Sequence, residues 1–181
     1  MRLSPLQLIE YTFDGVSVMP VDGYEADPAF APGLVFSPGK LAMSAETGLA
    51  LLDEQEKYTD FGLKLNLRVG PKQAAQAPYN IQVAVRGTVR MYLIQDQGQA
   101  EERRVLALVN GVSLLYGVVR EMVCTITGRS VNGSLLLPSL NFQELAEPKP
   151  NQGVTAAVKL PTSANPKNVT TRIRRKTEIK K

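Results

Sequence analysis

Two stretches of the chain alternate apolar and polar residues, a pattern typical of strands with one buried and one exposed face. The first covers residues 61–69, and the second covers residues 79–93, with Gly87 at a point where the strand could bend. A loop with a proline at each end, residues 71–78, separates them. We therefore predict two long strands that pair antiparallel.

Two more stretches are predicted as strands from weaker patterns. Residues 103–110 carry apolar side chains at every second position after a polar turn. Residues 6–18 are rich in apolar residues, and the Asp14–Gly15 pair within them tolerates left-handed backbone, so it predicts either a bulge or a turn. Residues 20–60 are harder to interpret. Prolines and glycines favour a loop to about residue 40, and residues 41–58 fit either a short helix or a strand followed by a turn.

The hydrophobic period becomes helical after residue 110. Apolar residues recur at intervals of three and four, which predicts a helix over residues 114–127. A crossover loop follows, and Asn141 is placed to cap a second short helix over residues 142–147, stopped by Pro148. The predicted fold class is α+β: a four-stranded antiparallel sheet with a C-terminal helical segment, two helices and a crossover loop, packed on one face.

Composition excludes several kinds of chemistry. The 181 residues include no histidine and one cysteine, Cys124, which excludes a histidine-based triad, a histidine-ligated metal and a disulfide framework. We find no glycine-rich phosphate loop and no convincing pair of catalytic carboxylates. The N-terminus lacks the apolar centre of a signal peptide, and no apolar run reaches the about 18 residues that a bilayer span requires. We expect a cytoplasmic protein that is not an enzyme and needs no cofactor.

Net charge is divided unevenly along the chain. The total is +4, but residues 159–181 hold eight cations and one anion, so this segment carries +7 and the other 158 residues carry −3. We divide the chain into an α+β domain at residues 1–148, with a proline- and glycine-rich insertion at 20–60, and a basic, mobile C-terminal extension at 149–181. The extension predicts a solubilising terminus, a short strand that packs on a neighbour or, as an alternative function, a nucleic-acid-associated or assembly protein.

Two sequence motifs stand in the helical region. Tyr116 is followed by the pair Arg120–Glu121, and the segment Leu140–Asn141–Phe142 is followed by Leu145. In these motifs the chain resembles the SecB family of export chaperones, whose first helix carries an aromatic residue and an Arg-Glu pair and whose second helix begins with a similar Leu/Val-Asn-Phe-x-x-Leu segment. The apolar positions of residues 6–8, 16–18 and 63–67 also fit the strands of that family.

The resemblance implies an ATP-independent holdase chaperone that uses neither nucleotide nor metal and assembles as a homodimer or tetramer. Such a chaperone binds unfolded or extended polypeptide clients in apolar grooves. Its role is either protein export, where it transfers clients to the SecA motor, or protection of a dedicated client such as an antitoxin. This chain departs from the family pattern at Gly117, where the family usually has proline, in the length of residues 20–60, and in its basic C-terminus.

Candidate polypeptide-binding residues are apolar side chains on three elements of the predicted fold. An apolar stripe more often forms core or a subunit interface, and the run after Asn132-Gly133-Ser134 is the best exception because apolar residues on a loop need a partner. The candidates are Leu63, Leu65 and Leu67 on the strand, Tyr116, Val119, Met122 and Val123 on the helix, and Leu135, Leu137, Leu140 and Phe142 on the crossover segment.

The charge of the polar strand face bears on SecA as a partner. The two long strands place four cations and no carboxylate on that face, namely Lys64, Arg68, Arg86 and Arg90, and only Glu10 and Asp14 on the first strand are acidic. In the export members the corresponding face is acidic, so the resemblance implies that four like charges oppose the docking. We predict that SecA is a possible but doubtful partner that binds weakly.

Overall fold

The computed structural model describes residues 4–25, 40–92 and 100–146. In chain order the elements are β1 (Leu6–Pro20), β2 (Leu41–Glu54), β3 (Tyr58–Pro71), β4 (Tyr79–Tyr92), α1 (Ala100–Thr127) and a short 3-10 helix, Gln143–Ala146. The strands form one antiparallel sheet in the order β1-β4-β3-β2, so β1 and β2 lie at its edges. The α+β class and the four-stranded antiparallel sheet are therefore confirmed.

The two strands with the clearest alternation pair as predicted. Leu65 of β3 lies opposite Val85 of β4, and Leu67 lies opposite Val83. Their apolar side chains share the face of the sheet that α1 covers, here called the core face, and all four are at most 2% exposed. The polar residues between them lie on the opposite side, here called the outer face.

Two bulges interrupt β1. The register shifts between Leu8 and Glu10 and again between Phe13 and Gly15, so the Asp14–Gly15 pair forms a bulge and not a turn. An extra residue moves all following side chains to the other face. The apolar residues of β1 stand at even positions before the first bulge (6 and 8), at odd positions between the bulges (11 and 13) and at even positions after the second (16 and 18). They therefore stay on the core face along the whole strand.

The fourth strand is not the one predicted from the pattern. Residues 103–110 belong to α1, which begins at Ala100, whereas β2 forms from residues 41–54 and pairs with β3. The alternation at 105, 107 and 109 was misleading because residues 106 and 108 are also leucines, and an unbroken apolar run fits a buried helix turn as well as a strand. Of the two alternatives for residues 41–58, the strand followed by a turn is correct.

α1 contacts the sheet closely where two glycines remove side chains from the interface. A Cβ atom on Gly111 would overlap the Leu63 side chain of β3. A Cβ atom on Gly87 of β4 would lie 2.9 Å from Leu115 of α1 and 2.8 Å from the Glu10 carbonyl of β1. These contacts fix the height of α1 above β3 and β4.

The second predicted helix is not confirmed. Residues 142–147 were expected to be α-helical, but the chain after α1 has no regular structure until the single 3-10 turn Gln143–Ala146. A tertiary contact explains the difference, because Phe142 is 2% exposed and is anchored in the core, as described below. The helical segment is therefore one long helix followed by an extended chain.

Two sequence-based expectations fall outside the described residues. They are the basic extension at 149–181, with the alternative nucleic-acid function that depends on it, and most of the loop predicted between residues 20 and 40. α1 itself is long and apolar enough to cross a membrane by length and composition alone. Of the most apolar 18-residue window of α1, 39% is buried inside the protein.

Gly111→Ala and Gly117→Ala form a matched pair of helix substitutions. The first would push a methyl group into Leu63, whereas no described atom lies within 4 Å of a methyl group at 117. We expect Gly111→Ala to lower the free energy of unfolding by about 1–3 kcal/mol through overpacking. We expect Gly117→Ala to raise it by about 0.5–1 kcal/mol because alanine is the better helix former. Urea unfolding followed by circular dichroism measures both free energies of unfolding. Equal changes for the two variants would contradict the close approach of α1 to the sheet at Gly111.

Candidate functional site

Nine of the eleven candidate residues are buried within the chain. They are Leu63, Leu65, Leu67, Tyr116, Val119, Val123, Leu135, Leu137 and Phe142, and none is more than 5% exposed. Met122 and Leu140 are partly exposed. Polypeptide binding through the nine stays a prediction, and in this conformation they have no free surface to offer a client.

Residues 134–142 return along α1 as an extended segment, here called the strap. Leu135 and Leu137 point into the core with exposures of 5% and 0%, while Leu136 between them is 37% exposed. At the far end, the Phe142 ring meets the Tyr116 ring edge-on, with 5.5 Å between centroids. Residues 135–137 therefore bury alternate side chains as a strand does, although the strap pairs with no strand among the described residues.

Side chains of α1 hold the strap by its main chain. The Leu135 N–H donates to Thr127 Oγ1 at 2.8 Å, and the same hydroxyl donates to the Val123 carbonyl at 2.7 Å. Two turns earlier on α1, the Arg120 Nε–H donates to the Leu137 carbonyl at 2.9 Å. Because every residue carries a main-chain carbonyl and every residue except proline carries an N–H, such bonds fix the path of the chain with little selection of its sequence.

Tyr116 makes the third main-chain contact. Its hydroxyl donates to the Pro138 carbonyl at 2.6 Å. Burial raises the pKa of Tyr116 above its usual value, and the positive charge of Arg120 opposes that rise only in part. The phenol thus stays protonated and remains a donor over the whole neutral range.

The start of the strap is held by contacts from β4 and from the end of α1. The Tyr79 hydroxyl of β4 donates to the Gly133 carbonyl at 2.7 Å, and burial raises the pKa of this tyrosine too. Gly133 has a left-handed φ of 78°, which glycine adopts without strain and which turns the chain back toward α1. Immediately after it, Ser134 Oγ lies 3.3 Å from Cys124 Sγ of α1.

Coverage of the core face decreases at β1. Within one row across the sheet, Val83 of β4, Leu67 of β3 and Ala45 of β2 are at most 2% exposed, but Val16 of β1 is 37% exposed. Tyr11, further along β1, is 50% exposed. Its side chain and its neighbours form an apolar surface, here called the β1 ledge, that comprises Leu8, Tyr11, Phe13, Val16 and Val18.

The β1 ledge adjoins a free strand edge. β1 pairs only with β4 within the described residues, so its other edge presents N–H and C=O groups that no described strand satisfies. The rings of Tyr11 and Phe13 pack edge-on with centroids 6.0 Å apart, which makes a rigid aromatic surface on the ledge. The bulges limit the regular part of this edge to short stretches, of which residues 15–20 are one.

The outer face is not the basic surface that was predicted. Asp60 of β3 lies opposite Arg90 of β4 and forms a two-pronged ion pair with it, with both N–O distances at 2.8 Å. Arg86 pairs with Asp14 at 3.3 Å, and Glu46 also lies on this face, opposite Asn66. Asp60 was not predicted on this face because the strand was taken to begin at residue 61. Asp60 and Glu46 weaken the charge argument against SecA, and weak SecA binding stays a prediction.

Sequence reasoning found the residues of the β1 ledge but not their importance. Residues 6–18 were recognised as an apolar-rich strand, yet nothing in a single sequence shows that β1 lies at a sheet edge or that α1 leaves the middle of this strand uncovered. That position follows from the order β1-β4-β3-β2, in which the first strand pairs with the last. The strap residues, in contrast, carried a readable signal: a run of apolar residues, Leu135–Leu137, in a loop.

No family model and no curated protein matches the chain. Among solved structures, the chain resembles a SecB-like chaperone of Mycobacterium tuberculosis in complex with a ChAD peptide from an antitoxin, with 17% identity, a TM-score of 0.44, and coverage of 75% of this chain and 90% of that one. It also resembles a protein of unknown function from Streptococcus agalactiae, with 14% identity, a TM-score of 0.43, and coverage of 74% and 96%. At these values the likeness establishes neither a family nor a function.

Thr127→Val tests whether the strap depends on its main-chain contacts. The substitution keeps the shape of the side chain but leaves the buried Leu135 N–H without its acceptor. An unpaired buried donor costs about 1–3 kcal/mol, so we expect that loss in the free energy of unfolding and faster hydrogen exchange at the Leu135 amide.

The matched control for this test is Ser113→Ala. Ser113 makes the same kind of bond, from its hydroxyl to the Val109 carbonyl four residues earlier at 2.8 Å, but it supports no part of the strap. We expect it to leave exchange at Leu135 unchanged. The contact would be unimportant if Thr127→Val and Ser113→Ala gave the same exchange rate at that amide.

Proposed function

We propose that this protein is an ATP-independent holdase that binds unfolded or extended polypeptides. The observation that carries the proposal is the β1 ledge, an apolar and partly aromatic surface left open to water beside an unpaired strand edge. Large contiguous apolar surfaces on soluble proteins mark sites of interaction. An edge strand adds a second means of recognition, because an extended chain can pair with its main-chain groups.

The energetics of this surface suit a client of variable sequence. Covering a half-exposed apolar side chain stabilises the complex by about 1 kcal/mol, half of the range for full burial. Ordering each residue of an unfolded client costs about 1–2 kcal/mol. The free energy gained by one contact is therefore about equal to the cost of ordering one client residue. Affinity arises from several contacts along one client. Release under these conditions needs only competition, so we propose no role for nucleotide or metal.

The bulges of β1 favour short client segments over long ones. A regular ladder along β1 is interrupted at Ile9 and Asp14, which restricts an added strand to a few residues at a time. β2, at the other edge, has no irregularity between Leu41 and Leu51. We propose that a second copy of the chain pairs more readily with the regular edge of β2, in a homodimer or as part of a tetramer.

The role of the protein in the cell forms the finer part of the proposal. We propose that it acts in the cytoplasm and is not an enzyme. Its client is either a precursor in protein export or a dedicated partner such as an antitoxin, because both would be held as extended apolar chains. The ledge recognises main-chain groups and apolar side chains, which the two kinds of client share.

The test of this proposal is suppression of aggregation by ledge variants. The wild-type chain, without nucleotide, should reduce light scattering by a chemically unfolded protein that aggregates on dilution. Tyr11→Ser combined with Val16→Thr removes about 1.4 kcal/mol of apolar contact, so we expect the concentration needed for half suppression to rise about tenfold.

Met19→Gln provides the matched control on the same strand. Met19 is 60% exposed but lies on the outer face, opposite Asn80. It should retain wild-type suppression, and thermal unfolding should show that all variants remain folded. The proposal fails if the wild-type chain suppresses no aggregation at tenfold molar excess, or if the ledge variant suppresses it as well as Met19→Gln does.

A further inference from the structure

The strap occupies a groove along α1 in which three hydrogen bonds from α1 side chains do not depend on the sequence of the strap. Thr127, Arg120 and Tyr116 bind one main-chain N–H and two main-chain carbonyls, and these residues lie along one side of α1. The eleven helical steps from residue 116 to residue 127 span about 16 Å, the length of about five extended residues. Any extended chain with apolar residues two positions apart could make the same contacts.

Side chains alone join the strap to the rest of the fold, through its buried apolar residues and the hydrogen bonds from α1. No main-chain to main-chain hydrogen bond reaches residues 134–141 within the described part of the chain. The strap adds to neither the sheet nor α1, so it can leave as a unit without breaking either. Segments with few main-chain bonds are the first to open in native proteins. Gly128 and Gly133 flank the turn that precedes it and provide a hinge.

We propose that the groove beneath the strap is a second polypeptide site, which the strap occupies when no client is bound. This inference rests on the proposed function and adds two features to it. The preferred client segment has apolar residues at positions i and i+2, like Leu135 and Leu137, and binding at this site requires the strap to leave. Departure of the strap would expose buried candidate residues, among them the Tyr116 ring, which Phe142 now covers.

A disulfide that locks the strap tests the inference. Ser134→Cys would place a thiol beside Cys124, the only other cysteine in the chain, at a position now 3.3 Å from it. The probe is a fluorescent peptide with the sequence of the strap, Ser-Leu-Leu-Leu-Pro-Ser-Leu-Asn-Phe, followed by fluorescence anisotropy. We expect the oxidised variant to bind the peptide at least tenfold more weakly than the reduced one, and Ser134→Ala to be insensitive to oxidation.

A second variant tests the same competition in the opposite direction. Leu137→Ala weakens the strap but leaves the side chains of α1 intact, so we expect the peptide to bind several-fold more tightly than to the wild-type chain. A merely structural role for Leu137 predicts weaker binding instead. The inference is overturned if oxidised and reduced Ser134→Cys bind the peptide equally, or if Leu137→Ala lowers its affinity.

The two proposals fail in distinguishable ways. If locked Ser134→Cys binds the peptide as well as the reduced form and still suppresses aggregation, the strap inference is wrong and the holdase proposal stands. If the locked form loses peptide binding but keeps suppression through the β1 ledge, both are supported. If no form of the chain binds the peptide or suppresses aggregation, both are wrong.

Discussion

One helix cannot cover a four-stranded sheet, and this constraint decides which apolar surfaces of the protein are exposed. A helix with its side chains is about 10 Å across, whereas four strands about 4.8 Å apart present a face about 19 Å wide. α1 is fixed over β3 and β4 by the close approach at Gly111 and Gly87. It also crosses the start of β1, where Leu6 is 5% exposed, but not the middle of that strand.

The strap supplies part of the missing cover. It adds Leu135, Leu137 and Phe142 to the core at the cost of ordering a segment that has no ladder of its own. Bonds from Thr127, Arg120 and Tyr116 satisfy main-chain groups that would otherwise be buried without partners. Even so, the middle of β1 is left half-exposed. Because α1 alone does not cover the core face, the β1 ledge stays exposed and the strap is bound along α1 as an extended client would be.

The sequence predicted the sheet better than its cover. Strict alternation identified β3 and β4 and their pairing, and the change of parity along residues 6–18 already encoded the two bulges of β1. The mistakes arose where apolar residues are continuous or where tertiary contacts override local preference. Residues 105–109 are apolar throughout and fitted a strand as well as a helix. Phe142 packs on the ring of Tyr116, and this contact replaces the predicted second helix.

The candidate site could be predicted only in part, for a similar reason. Apolar side chains at 63, 65, 67, 135 and 137 were recognised, but burial depends on what packs against them, which alternation does not report. The exposure of β1 depends on strand order, a property of the whole fold. Likewise, Asp60 was missed on the outer face because a strand boundary lay three residues earlier than its pattern suggested.

The central claim, that the core face of β1 receives extended chains, is tested most directly by methyl NMR. The spectra would follow valine, leucine and threonine methyl groups while a reduced, alkylated and permanently unfolded protein is titrated in. If extended chains bind the core face of β1, the methyl signals of Val16 and Val18 shift progressively, while that of Thr12 on the outer face of the same strand stays unchanged. Shifts confined to the outer face, with Val16 and Val18 unmoved at saturation, would contradict it.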